Sequence, residues 1–547
     1  MRDGVVLRAD VRRPASGGPF PVLVYRTPYG KQFAAEAYDT HREALRRGYA
    51  VVLQDVRGRY ASEGVFDPYR NEGRDGYDTI EWAAAQPWSN GEVGTYGLSY
   101  PGAVQWLAAL EEPPHLTAMV PAMTFSSPRN FFYMHGIFDL SWLPWIYANI
   151  APDARERLGL PAATQAWEEV ADTYRSWRPL LALPYLREVA PYYYEWLRHP
   201  PDDPWWNWAE IRGRYAAIEA AVLNLSGWYD EAYGPEGATT NFAGLRAAGR
   251  DDTHLVLGPW VHGVGSTEAH TTGALDFGPE AAIDYDDLVL DFFDRYLKGA
   301  DNRFASGPRV RYFVMGENRW AEASGWPPEG TKPLPLYLTT AGERTRLSRS
   351  APRAGTPGES AFVSDPAQPV TDPYASYGPQ DYAVLAARRD VLVFDSAPLS
   401  EALTVAGAIE AVVYVSCDCR DLDLWVKVLD VYPDGRAFTL MGPGNDALRA
   451  SWRDPQAGRQ LLTPGEIYAL RLPHLITANT FAPGHRIRVQ ISASFAPHLS
   501  LNLQTGESEA TSSESRPATI TIHHDLTHPS RITLPLLPQE RALRATR

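Results

Sequence analysis

The stretch VGTYGLSYPG, Val93 to Gly102, decides how the rest of the chain is read. A β-type apolar run ends at Gly97, Ser99 follows, and a helical pattern opens at Tyr100. A tight strand-to-helix turn exposes the residue at its apex and needs small neighbours around it. Gly97 is small on one side. On the other, Pro101 takes the usual small position and the glycine comes at Gly102, so the pattern is G-x-S-x-x-G rather than G-x-S-x-G. Ser99 is therefore a candidate nucleophile, with an incidental strand-end serine as the alternative.

Outward from this turn, short apolar runs alternate with helical patterns. PVLVYR (Pro21–Arg26), YAVVLQDV (Tyr49–Val56), EVGTYG (Glu92–Gly97) and LTAMVP (Leu116–Pro121) read as buried strands. Amphipathic stretches lie between them, which predicts a mostly parallel sheet with crossover helices. The pattern resumes at AAVLNLSGWYD (Ala220–Asp230) and HLVLGPW (His254–Trp260), and the helix YDDLVLDFFDRYLKG (Tyr285–Gly299) closes the block.

A serine hydroxyl is a weak nucleophile until an imidazole takes its proton, and the imidazole needs a carboxylate to hold its tautomer. In an α/β-hydrolase the order along the chain is Ser, then Asp or Glu, then His, the last two on loops after later strands. Asp230 follows the first resumed strand and His262 the second. Asp251 and Asp252 precede a strand, which is the wrong end. The alternative for His262 is a surface-loop histidine. An oxyanion hole needs two donors. The Tyr100 amide is one candidate. The other lies in the loop YRTPYGKQ, which lacks an HGGG pattern but carries Tyr29, a phenol donor or else a packing tyrosine.

Between the two halves of the α/β pattern, from about Ser126 to Ala209, strand signals vanish and aromatics crowd, which reads as a helical insertion. Most of those rings are expected to fill its core and a few to line a pocket. From about Pro308 the texture is all-β, with short strands separated by Gly, Pro, Asp and Asn, as in a sandwich or jelly roll. The expected organisation is a core in two halves, 1–125 and 210–307, a helical cap at 126–209, and a β-sandwich at 308–547.

With 547 residues, 44% of them hydrophobic and 21% charged, the composition is that of a multidomain globular protein. The formal net charge of −15 argues against nucleic acid or an anionic membrane as partner. Cys417 and Cys419, two apart in the strand-like run AVVYVSCDCRDLDLWVKVLDV, stand at the limit of disulfide reach and are expected as free thiols. No metal or other cofactor is expected, because the histidines show no ligand spacing on a shared helix face. There is no apolar run of the roughly 18 residues a membrane span requires. No leader precedes MRDGVVLRADVRRP, so a cytoplasmic location is expected; a start placed too late would hide one.

Together the segments MRDGVVLRADVRRP, YRTPYGK, QDVRGRYASEGVFDPY, VGTYGLSYPG, GWYDE, LGPWVHG and PGHRIRVQIS resemble the family of cocaine esterase, the X-prolyl dipeptidyl aminopeptidases and the α-amino acid ester hydrolases. The resemblance spans the chain and accounts for the G-x-S-Y-x-G elbow. It implies an α/β-hydrolase core with a helical cap and a C-terminal jelly roll of galactose-binding-like fold. It also implies a Ser99–Asp230–His262 triad with Tyr29 and the Tyr100 amide as oxyanion donors. Within QDVRG, Asp55 and Arg57 are given a structural ion-pair role. A pocket built from Trp142, Trp145, Trp228 and Glu231 is expected, and its aromatic character suits an apolar or aromatic acyl group. The expected activity is hydrolysis of a small-molecule carboxylic ester through an acyl-enzyme. The alternatives are an amidase or peptidase, such as an X-prolyl dipeptidyl peptidase or β-lactam acylase, and a carbohydrate-binding protein on an inactive scaffold. The sequence leaves the acyl group, the leaving group and the oligomeric state open, a homodimer among the options.

Overall fold

The computed structural model describes residues 1–161, 163–341, 344–355 and 358–538; the last stretch of the C-terminal block, 539–547, lies outside them. The first sheet is built from β1 (Ala9–Arg12), β2 (Phe20–Thr27), β3 (Ala50–Asp55), β4 (Ser89–Leu98), β5 (Leu116–Ala122), β6 (Ala221–Gly227), β7 (Thr253–Gly258), β8 (Val310–Val314) and β9 (Arg319–Ala323). They pair in the order β1-β3-β2-β4-β5-β6-β7-β8-β9. Strands β3 through β8 run parallel, with β1 and β9 antiparallel at the edges. Helices cover both faces, so β2, β3, β6 and β7 are buried along their whole length. That is why they read as continuous apolar runs rather than alternating ones.

The chain winds outward from β2 to β3, then returns to β4 on the other side of β2. The carboxyl ends of β2 and β4 are therefore neighbours at a switch in winding direction, where such sheets form their crevices. Tyr29 lies just past β2 and Ser99 just past β4. The strands Val310–Val314 and Arg319–Ala323 fall inside the stretch that the sequence assigns to the all-β block, yet they extend this first sheet. An apolar run marks a strand but carries no information about its partner.

Between β5 and β6 the chain leaves the sheet. It forms a two-residue hairpin, Tyr133–Met134 with Ile137–Phe138, and then mostly short helices. One of these, Trp142–Trp145, runs directly into a π-helical turn at Ile146–Ile150. The core of this insertion is aromatic: Phe132 packs against Trp142, Trp196 and Trp206 at 4.6–4.7 Å between ring centroids.

The C-terminal block is β-rich. Twelve strands among the described residues form its sheet. The long strand Leu403–Cys417 pairs antiparallel with Tyr468–Phe481 through a bulge between Ile409 and Ala411. One apolar cluster joins this block to the first sheet: Trp228, Phe242, Leu255 and Leu257 share a core with Val405, Val413, Leu472 and Ile491. No helix among the described residues is long and apolar enough to cross a membrane.

Cys417 and Cys419 are joined in a disulfide, which corrects the expectation of free thiols. The run around them is not one strand. It ends at Cys417 and bends through Asp418–Arg420 before the strand Asp423–Val431 begins. The bend draws the two Cα atoms to 5.2 Å, well inside bonding reach.

Candidate active site

Ser99 sits between β4 and the helix Tyr100–Ala109 with φ of 70°, a left-handed conformation that a non-glycine residue holds only when its surroundings enforce it. Its amide donates to the carbonyl of Ala122 on β5 at 3.0 Å, and its carbonyl accepts from the amides of Gly102 and Ala103 at 2.9 Å. The flanking glycines are required by space. A Cβ on Gly97 would lie 2.4 Å from Cβ of Pro101, and one on Gly102 would lie 2.7 Å from the Ala122 carbonyl oxygen. The close approach on the helix side thus falls on residue 102, which explains the extra residue in the pattern.

Asp230, past β6, is fully buried. Its Oδ1 lies 3.0 Å from Nδ1 of His262, past β7, and also accepts the amides of Ala232 at 3.1 Å and Tyr233 at 3.3 Å. Burial lowers the pKa of the imidazole, but the charge and hydrogen bond of Asp230 outweigh it, with Glu231 assisting, and the net shift is upward. Glu231 also accepts the backbone N–H of His262 at 3.0 Å, so both residues after β6 hold the histidine loop. Asp251, the rejected candidate, is exposed and pairs with Arg246.

The Tyr29 hydroxyl accepts from Nε1 of Trp145 at 3.0 Å. Burial pushes its pKa up to about 12, against the opposing pull of Trp145 and the Ser99 side chain, so the phenol keeps its proton at neutral pH. Tyr100 offers its amide as the first of its helix, where no intrahelical acceptor exists. Its side chain turns inward, donating to Glu72 at 2.9 Å and accepting the Tyr69 amide at 3.0 Å. A second phenol, which nothing in the sequence singles out, stands at this site. The ring of Tyr233, three residues after Asp230, lies 5.4 Å from that of His262, and burial holds its hydroxyl protonated against the opposing pull of Ser99 and Tyr69.

Of the four expected pocket residues, two stand near this constellation. Trp145 touches Tyr29. Glu231 lines a cavity of about 390 Å³ between the insertion and the C-terminal block, together with Asp139, Tyr174, Arg175, Asp372 and Tyr377. The other two are placed elsewhere. Trp142 is buried in the aromatic core of the insertion. Trp228 points away from Ser99 into the shared apolar cluster, where its indole donates to the carbonyl of Phe313 at 2.9 Å. A tryptophan two residues before Asp230 is close in sequence, but the turn after β6 sends its ring to the opposite side.

Arg57 has the expected ion-pair role, bonding Asp75 at 2.6 Å and Asp3 at 2.8 Å. Asp55 instead accepts the backbone amide of Lys31 at 2.6 Å, fixing the turn after Tyr29. Among the described residues no group of three or more His, Cys, Asp or Glu could hold a metal ion.

Comparison with known proteins bears on the whole chain. Residues 3–264 match the model of the X-Pro dipeptidyl-peptidase (S15 family), and residues 302–533 match that of the X-Pro dipeptidyl-peptidase C-terminal non-catalytic domain. A cocaine esterase from Rhodococcus sp. is 33% identical, with 98% of this chain and 97% of that protein covered. Among solved structures, an aminopeptidase from a marine sediment archaeon, Thaumarchaeota archaeon, superposes with a TM-score of 0.85 at 26% identity, covering 98% of this chain and 95% of that one. An α-amino acid ester hydrolase superposes with a TM-score of 0.83 at 25% identity over the same shares.

Proposed function

This chain belongs to the family of cocaine esterase and the X-Pro dipeptidyl-peptidases, enzymes that hydrolyse ester or peptide bonds, and from that premise we propose that it is a carboxylic ester hydrolase working through an acyl-enzyme on Ser99. The carrying observation is the pair of buried Asp230 and part-buried His262, 3.0 Å apart, past the carboxyl ends of strands in the same parallel sheet as a serine held at positive φ.

The reaction follows from the geometry. Asp230 accepts a hydrogen bond from Nδ1–H of His262, which holds the proton on that nitrogen and leaves Nε2 free to act as base. Nε2 takes the proton of Ser99, and Oγ attacks the ester carbonyl. Negative charge develops on the carbonyl oxygen, where the Tyr29 hydroxyl and the Tyr100 amide donate to it. The imidazolium then protonates the departing alcohol. Water, deprotonated in turn by His262, attacks the acyl group, and the imidazolium returns that proton to Oγ of Ser99 as the acid leaves. The reading extends to the architecture: a core in two halves, a cap, and a C-terminal jelly roll, with Val310–Ala323 lent to the core sheet.

A second reading, an amidase or peptidase whose substrate carries an ammonium group, draws support from the cavity that Glu231 lines, where three carboxylates face one arginine. Turnover of a panel of chromogenic acyl esters, amino acid esters and Xaa-Pro anilides decides between the two. Simple esters alone should turn over at rates well above background. Preferential turnover of Xaa-Pro anilides would replace the first reading with the second. Failure of all three classes, together with no labelling of Ser99 by a fluorophosphonate, would reject both.

A further inference from the structure

We propose that Trp145 is a positioning residue for the Tyr29 hydroxyl, its indole N–H occupying the phenol oxygen from the cap side and so fixing where the phenol proton points. The inference rests on Tyr29 being an oxyanion donor, and it adds the device that aims that donor.

An indole N–H can only donate, whereas a phenol has one proton and can also accept. With Nε1 of Trp145 at 3.0 Å from the Tyr29 oxygen, the phenol is the acceptor in that contact. Its own proton is then excluded from the Trp145 side. Ser99, just past the neighbouring strand β4, also acts on this hydroxyl, and the phenol proton is left to point into the crevice. An unaided tyrosine hydroxyl rotates between two in-plane positions, and only one serves an oxyanion. Fixing the rotor beforehand removes a reorganisation step from the reaction, which is where a preorganised donor gains its effect.

The surroundings hold the indole in place. Its ring lies parallel to that of Tyr100, centroids 6.2 Å apart, and edge-on to Trp142 at 5.3 Å. Trp145 is the last residue before the π-turn Ile146–Ile150, a form of helix that costs hydrogen-bond quality and recurs at functional sites. The fully buried Arg59 joins this turn to the loop of Tyr29. Its guanidinium donates to the carbonyl of Pro28 at 2.7 Å, of Ile150 at 2.9 Å and of Asn149 at 3.0 Å. Asp153, 3.2 Å away, balances its charge. One side chain thus fixes the residue before Tyr29 and the end of the turn that begins at Trp145, so donor and acceptor are set at a common spacing across the cap boundary.

The test is a double-mutant cycle on kcat for the best ester substrate, using the full chain. Trp145→Phe keeps an aromatic ring and removes the N–H. It should lower kcat by about 3- to 10-fold, the worth of one neutral hydrogen bond, with KM within about twofold. In a Tyr29→Phe background, where no hydroxyl remains to aim, the same substitution should leave kcat unchanged. Replacement of Trp145 by benzothienylalanine, which keeps the bicyclic shape and lacks the N–H, should reproduce the loss if the phenylalanine variant is unstable. An equal loss in both backgrounds, or a rise in KM alone, would make Trp145 a packing or substrate-contact residue and overturn this inference only. Wild-type kcat in Tyr29→Phe would overturn it together with the assignment of Tyr29.

Discussion

Oδ1 of Asp230 receives three donors at once, Nδ1 of His262 at 3.0 Å and the amides of Ala232 and Tyr233. The two amides come from the turn that follows the aspartate, so the carboxylate is locked before the histidine meets it. Asp230→Asn should keep the fold and lower kcat by roughly 10⁴, because an amide can hold the imidazole in the wrong tautomer. The substitution also removes the charge that raises His262 against the effect of burial. Activity requires the neutral imidazole, so the acid limb of kcat/KM should lie above the ordinary histidine pKa in the wild type. It should move to lower pH in the residual activity of Asp230→Asn. A pH–rate profile of both proteins checks the direction, and an acid limb that does not move would remove Asp230 from its partnership with His262.

Ser99→Ala should abolish ester hydrolysis, with a loss of roughly 10⁶ as for other triad nucleophiles, and leave the melting temperature near that of the wild type. Fluorophosphonate labelling followed by peptide mapping provides the second readout. Labelling and turnover retained in the alanine variant would mean that another serine is the nucleophile.

Tyr29→Phe deletes one hydroxyl and nothing else. Loss of a single oxyanion donor costs about 10²–10³ in kcat. KM and thermal stability should stay close to wild type, and steady-state kinetics beside a melting curve measures all three. A variant with unchanged kcat would transfer the donor's role to a backbone amide of the same loop.

Gly97→Ala tests the elbow as a piece of packing. Residue 97 holds φ of 141°, and the new methyl would have to share space with Pro101 at 2.4 Å. Neither the ring nor the strand can retreat freely, so destabilisation of about 1–3 kcal/mol is expected, together with reduced kcat as Ser99 shifts. Chemical denaturation reads the first and kinetics the second. A variant as stable as wild type would show that the turn relaxes more easily than its contacts imply.

The sequence made legible what is local or ordered along the chain. The elbow is contained in ten residues, and Asp230 and His262 are found because each stands just past an apolar run. Directions in space were not legible. Trp228 and Tyr233 flank Asp230 at similar distances along the chain, yet the first ring joins the β-rich block and the second stands 5.4 Å from that of His262. No periodicity exists in a turn to tell them apart. The Cys417–Cys419 bond was hidden for a related reason: two residues apart means a long step in a strand and a short one in a bend, and only the fold says which applies. The strand Val310–Val314 looks like its followers in composition and differs only in which edge it joins.

The cluster that Trp228 enters changes what the C-terminal block is for. The carbonyl of Trp228 accepts the amide of Gly442 at 3.1 Å, and the next residue, Tyr229, donates its hydroxyl to the carbonyl of Thr439 at 3.0 Å. Both anchors immediately precede Asp230. The loop that carries Asp230 is therefore cantilevered from the β-rich block and not from its own sheet alone. A truncated chain ending after Ala323 would retain every residue assigned to the chemistry and lose the footing of one of them. A substitution deep in the β-rich block, around Thr439 and Gly442, is therefore expected to lower activity without touching the crevice.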